Sequence, residues 1–140
     1  MQTRANPPAT ADQEARIQRL LQSFTTDPTD LRAFRALEEH LFLEGNWREL
    51  ANVYESRLRV LPATGADRTD LLGRLASVLA ERVGDLAAAR ARYEELVRLQ
   101  PQNAVALSAL RKLLAGAGEL TSALQLAELE EAQPLAAKPR

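Results

Sequence analysis

Four prolines recur along this 140-residue chain, Pro28, Pro62, Pro101 and Pro134, at separations of 34, 39 and 33 residues, and that spacing leaves few folds open. A period of this length holds one helical hairpin, ended by a residue that cannot continue a helix. Each interval has a glycine at a matching place, Gly45, Gly84 and Gly118, lying 17, 17 and 16 residues before the next proline. A glycine just past a helix takes the left-handed conformation that closes its C-terminus. Asn46 and Asp85 follow two of these glycines and are suited to cap the next helix, Asn46 with Glu49 as a capping box. Each interval therefore predicts helix, tight turn, helix.

Apolar residues recur at helical spacing inside those intervals. The first helices carry Phe34, Leu37 and Leu41; Leu72, Leu75, Ala76 and Leu79; and Leu107, Leu110 and Leu114. The second helices carry Trp47, Leu50, Val53 and Tyr54; Leu86, Ala89, Tyr93, Leu96 and Val97; and Leu120, Ala123, Leu124 and Ala127. The long middle interval can be dissected. Pro62 to Leu72 spans 10 residues where Pro28 to Phe34 and Pro101 to Leu107 span 6, and Leu79 to Gly84 spans 5 where Leu41 to Gly45 and Leu114 to Gly118 span 4. Four extra residues fall in the linker from Ala63 to Asp67, and one falls at the end of a helix.

Ahead of the first interval, residues 12–24 predict a further amphipathic helix with Ile17, Leu20, Leu21 and Phe24 on one face, a half-repeat that covers the N-terminal end. Residues 1–10 and 135–140 carry the composition of disordered ends, which leaves 11–134 as one domain with repeats at about 28–62, 63–101 and 102–134. Hydrophobic residues make up 46% of the chain and aromatics 4%, a balance that suits closely packed helices better than a sandwich or barrel. The expected fold class is all-α, an α-α superhelix of about seven helices.

The pattern of a large residue, a Leu followed by Gly or another small residue, a Tyr, an Ala, an aromatic and a closing Pro resembles the tetratricopeptide repeat across roughly residues 28 to 134. Phe34, Leu37, Leu41, Tyr54 and Pro62 fill it once. Leu72, Leu75, Ala76, Leu79, Ala89, Tyr93 and Pro101 fill it most faithfully, and Leu107, Leu110, Leu114, Ala123 and Pro134 fill it a third time. Glu38 and Arg111 stand where the family pattern has a small residue, and Ala127 stands where it has an aromatic. The resemblance implies a curved stack whose first helices line a concave groove for a partner protein or peptide. The groove positions are then Arg32, Arg35, Glu39 and Phe42 on the first wall, Asp70, Gly73, Ser77 and Ala80 on the second, and Val105, Ser108, Lys112 and Ala115 on the third. Some members of the family hold a C-terminal carboxylate with Lys and Asn at such positions; here only Lys112 and the arginines are of that kind, so the clamp is not carried over. Arg32 and Arg35, one turn apart, are suited to hold a carboxylate, with Phe42 as an apolar anchor.

Catalytic readings find little support. With no cysteine, thiol chemistry and thiolate zinc sites are excluded, and the lone His40 lacks the companions of a metal set. The pairs Glu38–Glu39, Glu94–Glu95 and Glu130–Glu131 are adjacent, so their side chains diverge by some 100° on a helix. No Gly-rich phosphate loop or nucleophile elbow occurs, so neither an enzyme nor a cofactor is expected. A net charge of -1 and a pI near 5.9 argue against nucleic acid, and no apolar run approaches a membrane span or signal peptide, which points to the cytoplasm. The bias toward Arg over Lys and toward Ala suggests a bacterial source. The expected function is a protein-binding scaffold or adaptor. The alternatives are a small chaperone holding a client, or a structural subunit that homodimerises through the uncovered Leu124, Leu126, Ala127 and Leu129 of its last helix.

Overall fold

The computed structural model describes residues 11–131, and among them the chain is all-helical, without a strand. The segments 1–10 and 135–140, expected to be disordered, lie outside the described residues, as does Pro134. Seven helices follow in order: α1 Ala11–Thr26, α2 Leu31–Glu44, α3 Trp47–Val60, α4 Ala66–Val78, α5 Leu86–Leu99, α6 Ala104–Gly116 and α7 Leu120–Glu131, with α4 running on into a π-helical turn over Leu79–Val83. The chain divides after Val60 into two compact units, α1–α3 and α4–α7. The division falls at the linker that carries the four extra residues.

Three helix starts are set by capping side chains one or two positions past the turn glycine or proline. Asp30, Asp85 and Asn103 accept hydrogen bonds from the amides of Ala33, Ala88 and Ala106 at 3.1, 3.1 and 3.0 Å. Each such cap stabilises its helix by about 1 kcal/mol. Asp30 and Asn103 sit two residues after Pro28 and Pro101, so the proline recurrence marks the N-terminus of the following helix as well as the end of the preceding one.

The helix ends explain the irregular interval. In all three hairpins the glycine adopts a left-handed conformation, with φ of 70° at Gly45, 83° at Gly84 and 84° at Gly118. The residue after it donates its amide back to the carbonyl of Leu41, Leu79 or Leu114, at 3.0, 2.9 and 2.9 Å from Asn46, Asp85 and Glu119. Those three leucines hold the same place in their stripes. Because the middle hairpin has one more residue between leucine and glycine, the last turn widens from α to π to reach the same carbonyl. The single inserted residue is therefore absorbed by one wide turn.

In the first unit, Phe24, Phe34 and Tyr54 form a row with successive ring centroids 6.0 Å apart, and Leu37 and Leu50 are fully buried. Arg57 lies over the Phe34 ring at 5.4 Å and donates to the Pro28 carbonyl at 2.9 Å, tying α3 to the turn before α2. On α1 only Phe24 is buried, while Ile17, Leu20 and Leu21 are half-buried. In the second unit Leu72, Leu75, Ala76, Ala89, Ala106 and Leu107 make the core, each buried leucine contributing about 1.5–3 kcal/mol. Arg68 on α4 meets Glu95 on α5 at 2.7 Å, with both side chains largely shielded.

The two large polar residues at small-residue positions are accommodated by pairing across the hairpin. The Tyr54 hydroxyl donates to Glu38 at 2.6 Å, and Arg111 pairs with Glu130. In the middle hairpin the same place is Ala76, fully buried.

Candidate functional site

The second unit holds an open groove of about 1170 Å³. One wall is α4, which contributes Thr69, Asp70, Gly73, Arg74 and Ser77, with Glu81 from the π turn; the other is α6, which contributes Ala104 to Ala106, Ser108, Ala109 and Lys112. Tyr93, Leu96 and Gln100 of α5 form the floor, Asn103 lies before α6, and Glu130 reaches in from α7. Of the residues that the sequence places on the second and third walls, Asp70, Gly73, Ser77, Val105, Ser108 and Lys112 are thus brought together; Ala80 and Ala115 are not part of this lining.

The helical spacing explains the arrangement. Asp70, Gly73 and Ser77 are three and four residues apart and share one face of α4, and Val105, Ser108 and Lys112 do the same on α6. The wall is low at Gly73, where an added Cβ would stand 3.8 Å from the Leu96 side chain, ordinary contact. The packing stripes lie one residue round, so the groove face is left to small and polar side chains.

Some polar groups of the groove are engaged and others are not. Asp70 and Arg74 pair at 2.8 Å, and Glu130 is held by Arg111. Lys112, Ser77 and Ser108 make no hydrogen bond or ion pair among the described residues. The Tyr93 phenol is likewise without a hydrogen-bond partner among them, and burial, reinforced by the negative charge of Glu81, holds its pKa above the usual tyrosine value. The groove therefore offers a cation, three hydroxyls and the carboxylate of Glu81 around an apolar strip at Leu96.

The four positions expected on the first wall belong to the other unit. Arg32, Arg35 and Glu39 are exposed on α2. Phe42 is 56% exposed and packs edge-on against Trp47, with ring centroids 5.2 Å apart. Arg32 lines a smaller cleft of about 290 Å³ between α1 and α2, together with Arg16, Leu20, Ser23, Asp30, Ala33 and Ala36. The sequence reading missed Arg16, because α1 was read only as a cover. It also missed Tyr93 and Leu96, which were assigned to the packing stripe and prove to serve both core and groove floor.

His40 faces Glu44 at 3.5 Å, and no group of three metal-ligating side chains converges among the described residues. Glu94 pairs with Arg90 and Glu95 with Arg68 and Arg92, so the adjacent carboxylates diverge as the helix requires. On α7, Leu120, Leu124 and Leu129 are exposed, whereas Leu126 and Ala127 are half-buried. No described helix is long and apolar enough to cross a membrane. No family model and no curated protein matches the chain.

Proposed function

We propose that the chain is a protein-interaction module of the tetratricopeptide type that takes a peptide or a segment of a partner protein in the α4–α6 groove. The supporting observation is that Asp70, Gly73, Ser77, Ser108 and Lys112, second- and third-wall positions that the resemblance implies, line one open groove in which Ser77, Ser108 and Lys112 are unpaired among the described residues and Leu96 is apolar. An extended or helical segment suits such a site, since backbone amides and carbonyls meet the Ser77, Ser108 and Tyr93 hydroxyls while a side chain rests on Leu96. Gly73, Ala104 and Ala109 keep the walls low enough for a backbone to approach.

The test is selection of peptides from a displayed random library on the purified chain, followed by titration of the best binder. Lys112→Glu and Ser77→Arg should each weaken that binder by roughly tenfold or more, about 1.4 kcal/mol, with unchanged helicity. Arg59→Glu on α3 should leave it unaffected. Binders whose affinity ignores both groove variants would refute the assignment of the groove.

A further inference from the structure

The first unit carries a small cleft of its own, lined by residues of α1 and α2. Four arginines stand on its two leading helices, Arg16 and Arg19 on α1 and Arg32 and Arg35 on α2, each pair one turn apart and all exposed. None of the four makes an ion pair or hydrogen bond among the described residues. In the second unit Arg68, Arg74, Arg90, Arg92 and Arg111 are each held by a carboxylate, whereas Arg98, like Arg48 of α3, is not held by one among the described residues.

Arg16 and Arg32 line the small cleft between α1 and α2, whose apolar surface is Leu20, Ala33 and Ala36. The acid within it, Asp30, is committed elsewhere: one oxygen accepts from the Ala33 amide at 3.1 Å and the other from the Ser23 hydroxyl at 3.3 Å. It caps α2 and forms no ion pair with Arg16 or Arg32, though its negative charge stays within the cleft. We propose that this cleft docks an acidic peptide segment, in which an apolar side chain enters against Leu20 while flanking Asp or Glu carboxylates are held by Arg16 and Arg32, with Arg19 and Arg35 extending the cationic rim.

Size and charge select this occupant over other anions. At about 290 Å³ the cleft takes a side chain or two, and the apolar floor has no use in binding a bare phosphate. A nucleic acid needs a long basic stripe, whereas this chain carries a net charge of -1 overall and the four arginines of α1 and α2 make only a short cluster. Guanidinium–carboxylate pairing is planar and bidentate, which favours a fixed register on the rim.

The experiment uses the full chain and a fluorescein-labelled peptide with one leucine among six glutamates, followed by anisotropy. The peptide should bind, and binding should weaken by roughly tenfold or more in Arg16→Glu and in Arg32→Glu, and again when its leucine becomes serine. Raising salt from about 50 to about 300 mM should weaken it, because rim charges are screened. Lys112→Glu should leave it unchanged, which separates this site from the other groove. The Arg16→Glu, Arg32→Glu double variant should instead bind the matching peptide with lysines in place of glutamates, a gain that misfolding could not produce. The proposal is overturned if the acidic peptide does not bind, if the double variant fails to reverse the preference, or if the serine peptide and a single-stranded oligonucleotide bind as well as the leucine peptide.

Discussion

Gly84 and Gly116 allow the same chemical change to be made twice in one unit with opposite expected signs. At both positions an added Cβ meets nothing within 4 Å, so neighbouring atoms contribute no clash to either substitution. Gly84 sits at φ 83°, closing the π turn, whereas Gly116 is the last residue of α6 and does not have a positive φ. An alanine forced into the left-handed region costs about 1–2 kcal/mol, of which about 0.4–1 kcal/mol is returned because the unfolded chain loses freedom. Gly84→Ala should thus destabilise by about 0.5–1.5 kcal/mol, and Gly84→Val by more, since a β-branched side chain is poorer still at positive φ. Gly116→Ala should stabilise by about 0.5 kcal/mol through helix propensity and the same unfolded-state term. Urea unfolding followed by circular dichroism reads this directly. With a slope of about 1–3 kcal/mol/M, the midpoint should fall for one variant and rise for the other, with the slope unchanged. Shifts of the same sign in both would refute the assignment of the backbone conformation as the cause.

Two further expectations come from the second unit. Glu95→Gln should cost about 1–3 kcal/mol, because Glu95 is 15% exposed and its charge is shared by Arg68 and Arg92, whereas Asp70→Asn at the open Asp70–Arg74 pair should cost about 0–0.5 kcal/mol; equal losses in chemical denaturation would contradict this ranking. Deleting Glu81 should be tolerated to within about 1 kcal/mol, since it restores the four-residue spacing of the sister hairpins, while deleting Ala115 would put Glu119 in the left-handed place of Gly118 and cost about 1–2 kcal/mol more; the reverse order of melting temperatures would show that the π turn is not a one-residue insertion.

What the sequence made legible is what burial and backbone conformation dictate. Leucines 37, 72, 75 and 107 recur at helical spacing because each must face a core, and the positive-φ glycines recur because few other residues close a helix as easily. The inserted residue could be placed by counting, since spacing is preserved wherever the same carbonyl must be reached. What a turn does with an extra residue, loop out or widen to π, depends on hydrogen-bond partners that no residue count contains. Arg16 was illegible for a related reason. A face of α1 read by its apolar residues reports what it covers, and says nothing of what lies exposed along its edge.

Tyr54 and Tyr93 show most plainly where sequence register stops short of function. Both occupy the same place in their hairpins and both are buried, at 3% and 6% exposure. Their hydroxyls nevertheless meet different surroundings, because the residue facing them on the preceding helix differs. Glu38 takes the Tyr54 proton donor at 2.6 Å, which ends that group's availability to a partner. Ala76 holds the matching place in the middle hairpin and offers no acceptor, and the Tyr93 phenol lines the α4–α6 groove near the charge of Glu81. A small residue that the repeat pattern presents as a packing requirement therefore also leaves a hydrogen-bonding group unengaged. The same pattern position, filled by a carboxylate one hairpin earlier, withdraws it.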